Sequence, residues 1–156
     1  MKRTVFAILT SFVLAGPAMA QWASGYNMGT IGVTGGNSAS GTINVQCADA
    51  GNGTVEQGDL AIFIKSGAAS MIGTTSPGTL TFTAGDSSVA LPVADDAGDG
   101  FVYDKSAETL ADAAALIDLL RTGTSVTIAA SGEQIARIRL DGAAAALDGV
   151  EACLAP

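Results

Sequence analysis

Apolar residues in this chain fall at alternate positions in short runs, and each run is cut off by Gly, Asn, Asp or Ser. A period of two puts one set of side chains on one face of a pleated strand. The spacing therefore restricts the chain to half-buried antiparallel strands joined by tight turns. Thr42 to Cys47 places Ile43, Val45 and Cys47 on one face. Leu60 to Lys65 places Leu60, Ile62 and Ile64 on one face and Ala61, Phe63 and Lys65 on the other, the pattern of a strand near a sheet centre. Thr79 to Ala84 carries Leu80 and Phe82 inward, and Gly85-Asp86 fits a two-residue hairpin turn into Ser87 to Val93. Pro92 has no amide donor, so that strand ends there or lies at an edge. Phe101 to Tyr103 is a further short strand. Val126 and Ile128, the Ser131-Gly132 turn, and Ala136, Ile138 and Leu140 form a last hairpin, with Arg137 and Arg139 on its outward face. Ahead of these, Gln21 to Ala39 is rich in Gly, Ser, Thr and Asn. Met28, Ile31 and Val33 give it one weak strand, and Gly35-Gly36-Asn37 gives it a turn.

One segment breaks the alternation. From Ala107 to Thr122, Leu110, Ala113, Ala114, Ile117 and Leu120 recur at three-and-four spacing and make an apolar helical stripe. Ser106 is the expected N-cap, Arg121 lies in the last turn, and Gly123 is the expected left-handed stop. Asp141 is expected to cap a short Ala-rich helix from Ala143 to Val150. Strands dominate and one helix interrupts late. The fold class is therefore mainly β with one amphipathic helix (α+β): a small antiparallel β-sandwich with a helix packed on one side.

The first twenty residues belong to no strand. Lys2 and Arg3 precede an apolar run from Thr4 to Leu14, Gly16-Pro17 breaks it, and Ala18-Met19-Ala20 is a small-x-small step. This is the build of a secretory leader, too short in its apolar part for a membrane span. We expect cleavage after Ala20, with residues 21–156 forming a single exported β-rich domain, periplasmic or secreted. Losing Lys2 and Arg3 takes the net charge from −8 to −10. Export puts Cys47 and Cys153 in an oxidising compartment, so they are expected to pair and to close a loop of about a hundred residues. They are too far apart for a C-x-x-C redox pair, so the bond reads as structural.

Composition excludes several chemistries. There is no histidine, which removes Ser-His-Asp and Cys-His nucleophiles and His-ligated metals. The acidic balance argues against nucleic acid, and the Gly25 to Gly41 stretch has no lysine and no phosphate-loop motif. The residues nearest to a calcium loop are Asp95, Asp99 and Asp104. Counted from Asp95, however, Ala97 and Ser106 stand where the third and twelfth ligands belong, so no metal is expected. No cofactor is expected either. Lys65-Ser66 and the pair Asp141 and Asp148 are the weakest candidates for nucleophile and acid–base chemistry, because a Ser-Lys nucleophile needs a buried lysine and carboxylate pairs arise by chance in so acidic a chain. The candidate binding residues are Arg137 and Arg139, suited to a carboxylate or phosphate, and the aromatics Trp22 and Tyr103. With Tyr26 and Phe101 they are the aromatics at loop or strand ends, and for all four core packing is favoured over a binding patch.

Residues Leu110 to Leu147 carry a further pattern: a Leu/Ala helix, Arg121-Thr122-Gly123, two strands about a Gly turn, Arg139-Leu140-Asp141-Gly142, then Ala146-Leu147. This resembles the C-terminal half of the invasion-associated locus B family of exported proteobacterial proteins, and Trp22 and Cys47 are similarly placed. Asp141 and alanines stand where that family has cationic and aromatic positions. The resemblance implies a periplasmic β-sandwich with a role at the envelope or with a host, and it maps no catalytic residue. Together these readings lead us to expect a non-enzymatic exported protein that binds another protein or an envelope component. No nucleic acid and no stable membrane insertion after cleavage are expected. The alternatives are a small hydrolase inhibitor working through the Gly67 to Gly78 loop, a carboxylate-dependent hydrolase, or a calcium-binding protein.

Overall fold

The computed structural model describes residues 21–50, 56–67, 78–96 and 100–155. The expected leader, Asp99 and residues 68–77 of the Gly67 to Gly78 loop lie outside them. The described strands form two antiparallel sheets. The first contains β1 (Trp22–Asn27), β2 (Thr30–Asn37), β3 (Gly41–Cys47), β4 (Leu60–Lys65), β7 (Ala94–Asp95) and β8 (Phe101–Asp104), in the order β1-β2-β3-β4-β8-β7. The second contains β5 (Thr79–Ala84), β6 (Ser87–Pro92), β9 (Ser125–Ala130) and β10 (Glu133–Arg139), in the order β10-β9-β5-β6. A 13-residue helix, α1 (Leu110–Thr122), a short helix, α2 (Ala143–Ala146), and a terminal 3-10 turn (Val150–Cys153) complete the chain. The chain is thus mainly β, with two antiparallel sheets and one main helix.

The registers show why alternation was enough to place the core. Val33, Val45, Ile62 and Tyr103 form one inward row across the first sheet, and Ile43, Ile64 and Phe101 form the next. Leu80, Phe82, Ile128 and Leu91 face them from the second sheet. All of these are at most 3% exposed. Each large aliphatic side chain buried in this way contributes about 1.5–3 kcal/mol of transfer free energy. Thr79, Thr81 and Thr83 point the other way into solvent, so α1, which lies against β6 and β5, packs on the core side. Its buried stripe is Leu110, Ala113, Leu116, Ile117, Leu119 and Leu120.

At the opposite corner the two sheets join. The Gly67 amide donates to the Ile135 carbonyl at 2.9 Å, and the Arg137 amide donates to the Ser40 carbonyl at 2.9 Å. Gly41 sits at this corner with φ 93; a Cβ there would collide with the Ala136 methyl and crowd the Lys65 carbonyl. A β-bulge between Gln134 and Ala136 turns both Ile135 and Ala136 into the core.

Several local expectations are corrected. The N-terminal segment forms two strands, not one. Met28 and Gly29, with φ 48 and 80, make a tight turn between β1 and β2, and β2 runs on through Asn37. The weak pattern arises because Ser24 and Gly35 occupy inward positions that elsewhere carry an apolar side chain. Helix α1 starts at Leu110. Thr109 is its cap without a side-chain bond, and the Ser106 hydroxyl lies 2.7 Å from the Thr109 hydroxyl. Gly123 is extended, with φ −79 and ψ 171, because the chain runs straight on into β9. Glycine provides clearance there, since a Cβ would press on Leu140 and Ala84. Asp141 does not cap α2. Gly142 takes that position with φ 86, while the Asp141 carboxylate accepts from Arg139 Nε at 2.7 Å. The short helix ends at Ala146, and left-handed Gly149, φ 90, separates it from the 3-10 turn.

Cys47 on β3 and Cys153 in that last turn form a disulfide, 106 residues apart in sequence with Cα atoms 5.7 Å apart. A loop of that length gives about 4–5 kcal/mol on the chain-entropy model, a large share of a domain total of about 5–15 kcal/mol. The Cys47→Ser/Cys153→Ser double variant should lower the denaturation midpoint strongly, and thiol titration of the unfolded wild-type protein should find no free thiol. A second test concerns Trp22. Its indole lies on the backbone of its cross-strand partner Gly35, where a Cβ would collide with three ring atoms. Gly35→Ala should cost about 1–3 kcal/mol in urea unfolding and red-shift the fluorescence of this single tryptophan.

Candidate functional site

The aromatic candidates are core residues. Trp22 is 4% exposed, and its Nε1 donates to the Arg139 carbonyl at 2.7 Å, tying β1 to the end of β10. Tyr103 is 1% exposed, and its hydroxyl accepts from Thr109 at 3.3 Å. Phe101 is also buried. Their rings therefore offer no surface to a partner. Tyr26, at 61% exposure, is the aromatic that remains outside, because β1 is an edge strand that runs past the core.

Arg137 and Arg139 do share the outward face of β10 and are exposed. Arg139 is already paired with Asp141, both side chains being well solvated. Arg137 faces a shallow hollow of about 170 Å³ near Ser40 and Gly67. A fork that needs both guanidinium groups would have to displace Asp141. Asp95 and Asp104 are not neighbours. Asp95 pairs with Phe101 and Asp104 with Ala61, which separates them by three strand positions or roughly 10 Å. Among the described residues no three His, Cys, Asp or Glu side chains gather as a metal would require. Lys65 is exposed at the end of β4, and Asp148 is exposed beyond α2.

A different surface has the geometry of a site. On the outer face of the first sheet, Ala23, Thr34, Asn44 and Phe63 form one cross-strand row, and Gly25, Gly32, Gln46 and Ala61 form the next. Asn44 Nδ2 donates to the Thr34 hydroxyl at 2.7 Å, and Gln46 Nε2 donates to Asn44 Oδ1 at 3.2 Å. A side chain at Gly25 would meet nothing, and one at Gly32 would touch only a carbonyl at 4.0 Å. Bare backbone at these positions therefore floors a hollow of about 470 Å³ rimmed by Asn27, Met28 and Thr30. Thr30 and Gln46 also border a second hollow, about 350 Å³, which runs on toward Asp59, Asp104 and Lys105. From Gln21 to Ala48 the sequence contains no Asp, Glu, Lys or Arg. The surface therefore offers hydroxyl and amide groups with no charge to desolvate. Charge counting along the segment could have found it; the facing of the two glycines could not be seen without the register.

The charged groups sit elsewhere. Lys105 Nζ donates to the Gly58 carbonyl at 3.1 Å and to the Ala155 carbonyl at 2.7 Å, fastening the chain end. At the other side of the C-terminal segment, Arg121 donates to the Leu147 carbonyl at 2.7 Å and forms an ion pair with Glu151. The Glu151 carboxylate is held below its ordinary range, first by a hydrogen bond from its own backbone amide and then by Arg121 and the Gly149 amide. A depressed carboxyl stabilises the fold above its unfolded value of about 4.3, and that contribution is lost as pH falls through the folded value. The side chain is 51% exposed, so the effect is small. Glu151→Gln should cost about 0.5 kcal/mol at pH 7, and the cost should shrink as the pH is lowered below the unfolded value and through the folded one; urea melts across an acid pH series check this.

Comparisons with known proteins add one finding. No curated protein and no solved structure matches the chain. A family model described as YfjT matches residues 20–147, which takes in both sheets, α1 and α2. Since that match spans most of its length, the chain belongs to the YfjT family.

Proposed function

We propose that this is an exported, non-enzymatic protein that binds another macromolecule, a protein or an envelope component, through the outer face of β1, β2 and β3. The observation that carries this reading is the uncharged ladder of Thr34, Asn44 and Gln46 beside the glycine-floored hollow. Protein contacts are depleted in charge at their centres. Neutral amides and hydroxyls exchange hydrogen bonds there without the desolvation cost of an ion.

Export is supported by the leader-like residues 1–20, expected to be removed after Ala20 in the periplasm or on secretion. The Cys47–Cys153 disulfide belongs to an oxidising, non-cytoplasmic compartment. No helix among the described residues is long and apolar enough to cross a membrane. The lack of histidine supports a binding role over hydrolysis. A part in host interaction rests on the invasion-associated resemblance.

The test is site-specific photo-crosslinking in producing cells. A photoreactive residue at Asn44 should capture a discrete heterologous partner, and one at Asp112 on exposed helix surface should not. Gln46→Lys in the Asn44 background should cut the adduct by at least about tenfold, the equivalent of one lost polar contact, with an unchanged melting midpoint. Adducts of equal yield from both positions, or none from Asn44, would refute the reading.

A further inference from the structure

The two sheets end in four strand edges, and three of them are closed. The edge of β10 is bonded to Ser40 and Gly67. The edge strand β6 lies beside α1 and ends at Pro92. The edge strand β7 is only two residues long. The fourth edge, β1, has six residues with no charge and no proline, so it lacks the devices by which proteins keep a strand edge from pairing.

The turn fixes which backbone groups this edge presents. In a two-residue hairpin the flanking residues, here Asn27 and Thr30, exchange hydrogen bonds, and bonded pairs then alternate along the ladder. Ala23, Gly25 and Asn27 therefore bond to β2; in step with this, the Gly36 amide donates to the Gln21 carbonyl at 3.2 Å. Trp22, Ser24 and Tyr26 aim their N–H and C=O groups away from the sheet. Among the described residues no backbone hydrogen bond reaches that side.

We propose that β1 is a self-association edge, pairing antiparallel with β1 of a second copy about a twofold axis at Ser24. Charge selects the occupant. The exported chain carries a net −10 on its side chains and two copies repel, yet no side chain from Gln21 to Ala48 is charged. Of the other edges, β7 carries Asp95 and β10 carries Glu133, Arg137 and Arg139, while β6, also uncharged, lies beside α1 and ends in Pro92. Two acidic copies therefore meet with least repulsion and least obstruction at β1. The strand is also self-complementary in register. Ser24 opposes the partner subunit's Ser24, and Trp22 opposes the partner's Tyr26, so each outward amide meets an outward carbonyl. The result is one sheet continuous across two subunits, in which the exposed Tyr26 ring gains a covering strand. This goes beyond the binding face proposed above, because it uses the edge of the sheet and not its outer face.

Sedimentation equilibrium of the exported protein over a concentration series is the test. The wild type should show a reversible monomer–dimer equilibrium. Ser24→Pro removes an amide that does not bond β2, and Ser24→Lys sets two like charges on the axis. Both should raise the dimer dissociation constant by at least about tenfold with the melting midpoint of the monomer retained. Ser24→Cys should give a covalent dimer on mild oxidation, and Ser88→Cys on β6 should not. If Ser24→Pro does not fold, Ser24→Lys and the cysteine pair decide. A wild type that stays monomeric, a dimer indifferent to Ser24→Lys, or an edge occupied by a peptide of another protein would overturn the proposal. The Asn44 crosslinking result is independent of all three outcomes.

Discussion

The disulfide between Cys47 and Cys153 is the constraint on which the arrangement of the C-terminal third depends. Cys47 is the last residue of β3 and is fully buried, as is Cys153. Their bond holds the end of the chain against the first sheet, although the segment from Ala143 to Cys153 has only a four-residue helix and a 3-10 turn of its own. Elements that short have almost no intrinsic stability. Once held, they bury Leu147 and Val150 completely, and α2 fills the space between α1 and β1. Arg121 and Lys105 then hold the segment from both sides by bonding the Leu147 and Ala155 carbonyls. A covalent tie, two charged clamps and a few buried aliphatics replace the long helix that would otherwise be needed to cover this part of the core.

Charge is segregated along the chain in a way that follows from the same architecture. The uncharged residues Gln21 to Ala48 make three adjacent strands that share one solvent face and one edge. The described acidic and basic residues lie on β4, β7 and β8 at the far side of the first sheet, on the helix, in the connecting loops and C-terminal turn, and on the second sheet. An edge without charge is a liability in an isolated domain, and an uncharged polar face has a low desolvation cost when covered. Both proposals made here arise from that one segregation, but they concern different surfaces and stand or fall separately.

How far the sequence could be read depended on how local each feature was. Alternation identified β3, β4, β5 and the last hairpin, because the pleat imposes a period of two wherever one face is buried. Gly85-Asp86 and Ser131-Gly132 were legible as turns because few residues accept positive φ, and both sit at the tips of their hairpins. The same logic failed for β1 and β2, where Ser24 and Gly35 interrupt the inward apolar rhythm. It failed at the helix ends too, where Ser106, Gly123 and Asp141 were assigned cap roles from residue type alone. Gly123 is there for clearance from Leu140, which is remote in sequence, and Asp141 is engaged by Arg139 two residues before it, a side-chain pairing that residue type alone does not rank above a cap. For the candidate site, Arg137 and Arg139 were correctly read as outward. Core packing was the favoured reading for the aromatics; it holds for Trp22, Tyr103 and Phe101 and fails for Tyr26, because an aromatic at a strand end is buried or exposed according to what lies across the sandwich.

The sequence by itself determined the strand-rich class, the inward rows of Ile, Val and Leu, and the presence of one amphipathic helix. These follow from side-chain periodicity and backbone preference within a few residues of chain. Only the tertiary structure decided that Gly25 faces Gly32, that the Trp22 indole closes on Gly35 and the Arg139 carbonyl, that β10 is sealed by Ser40 and Gly67, and that among the described residues no further strand lies beside β1. These depend on registers between segments far apart in the chain. A register is set by the total burial it achieves across the sheet and not by any residue that can be read alone.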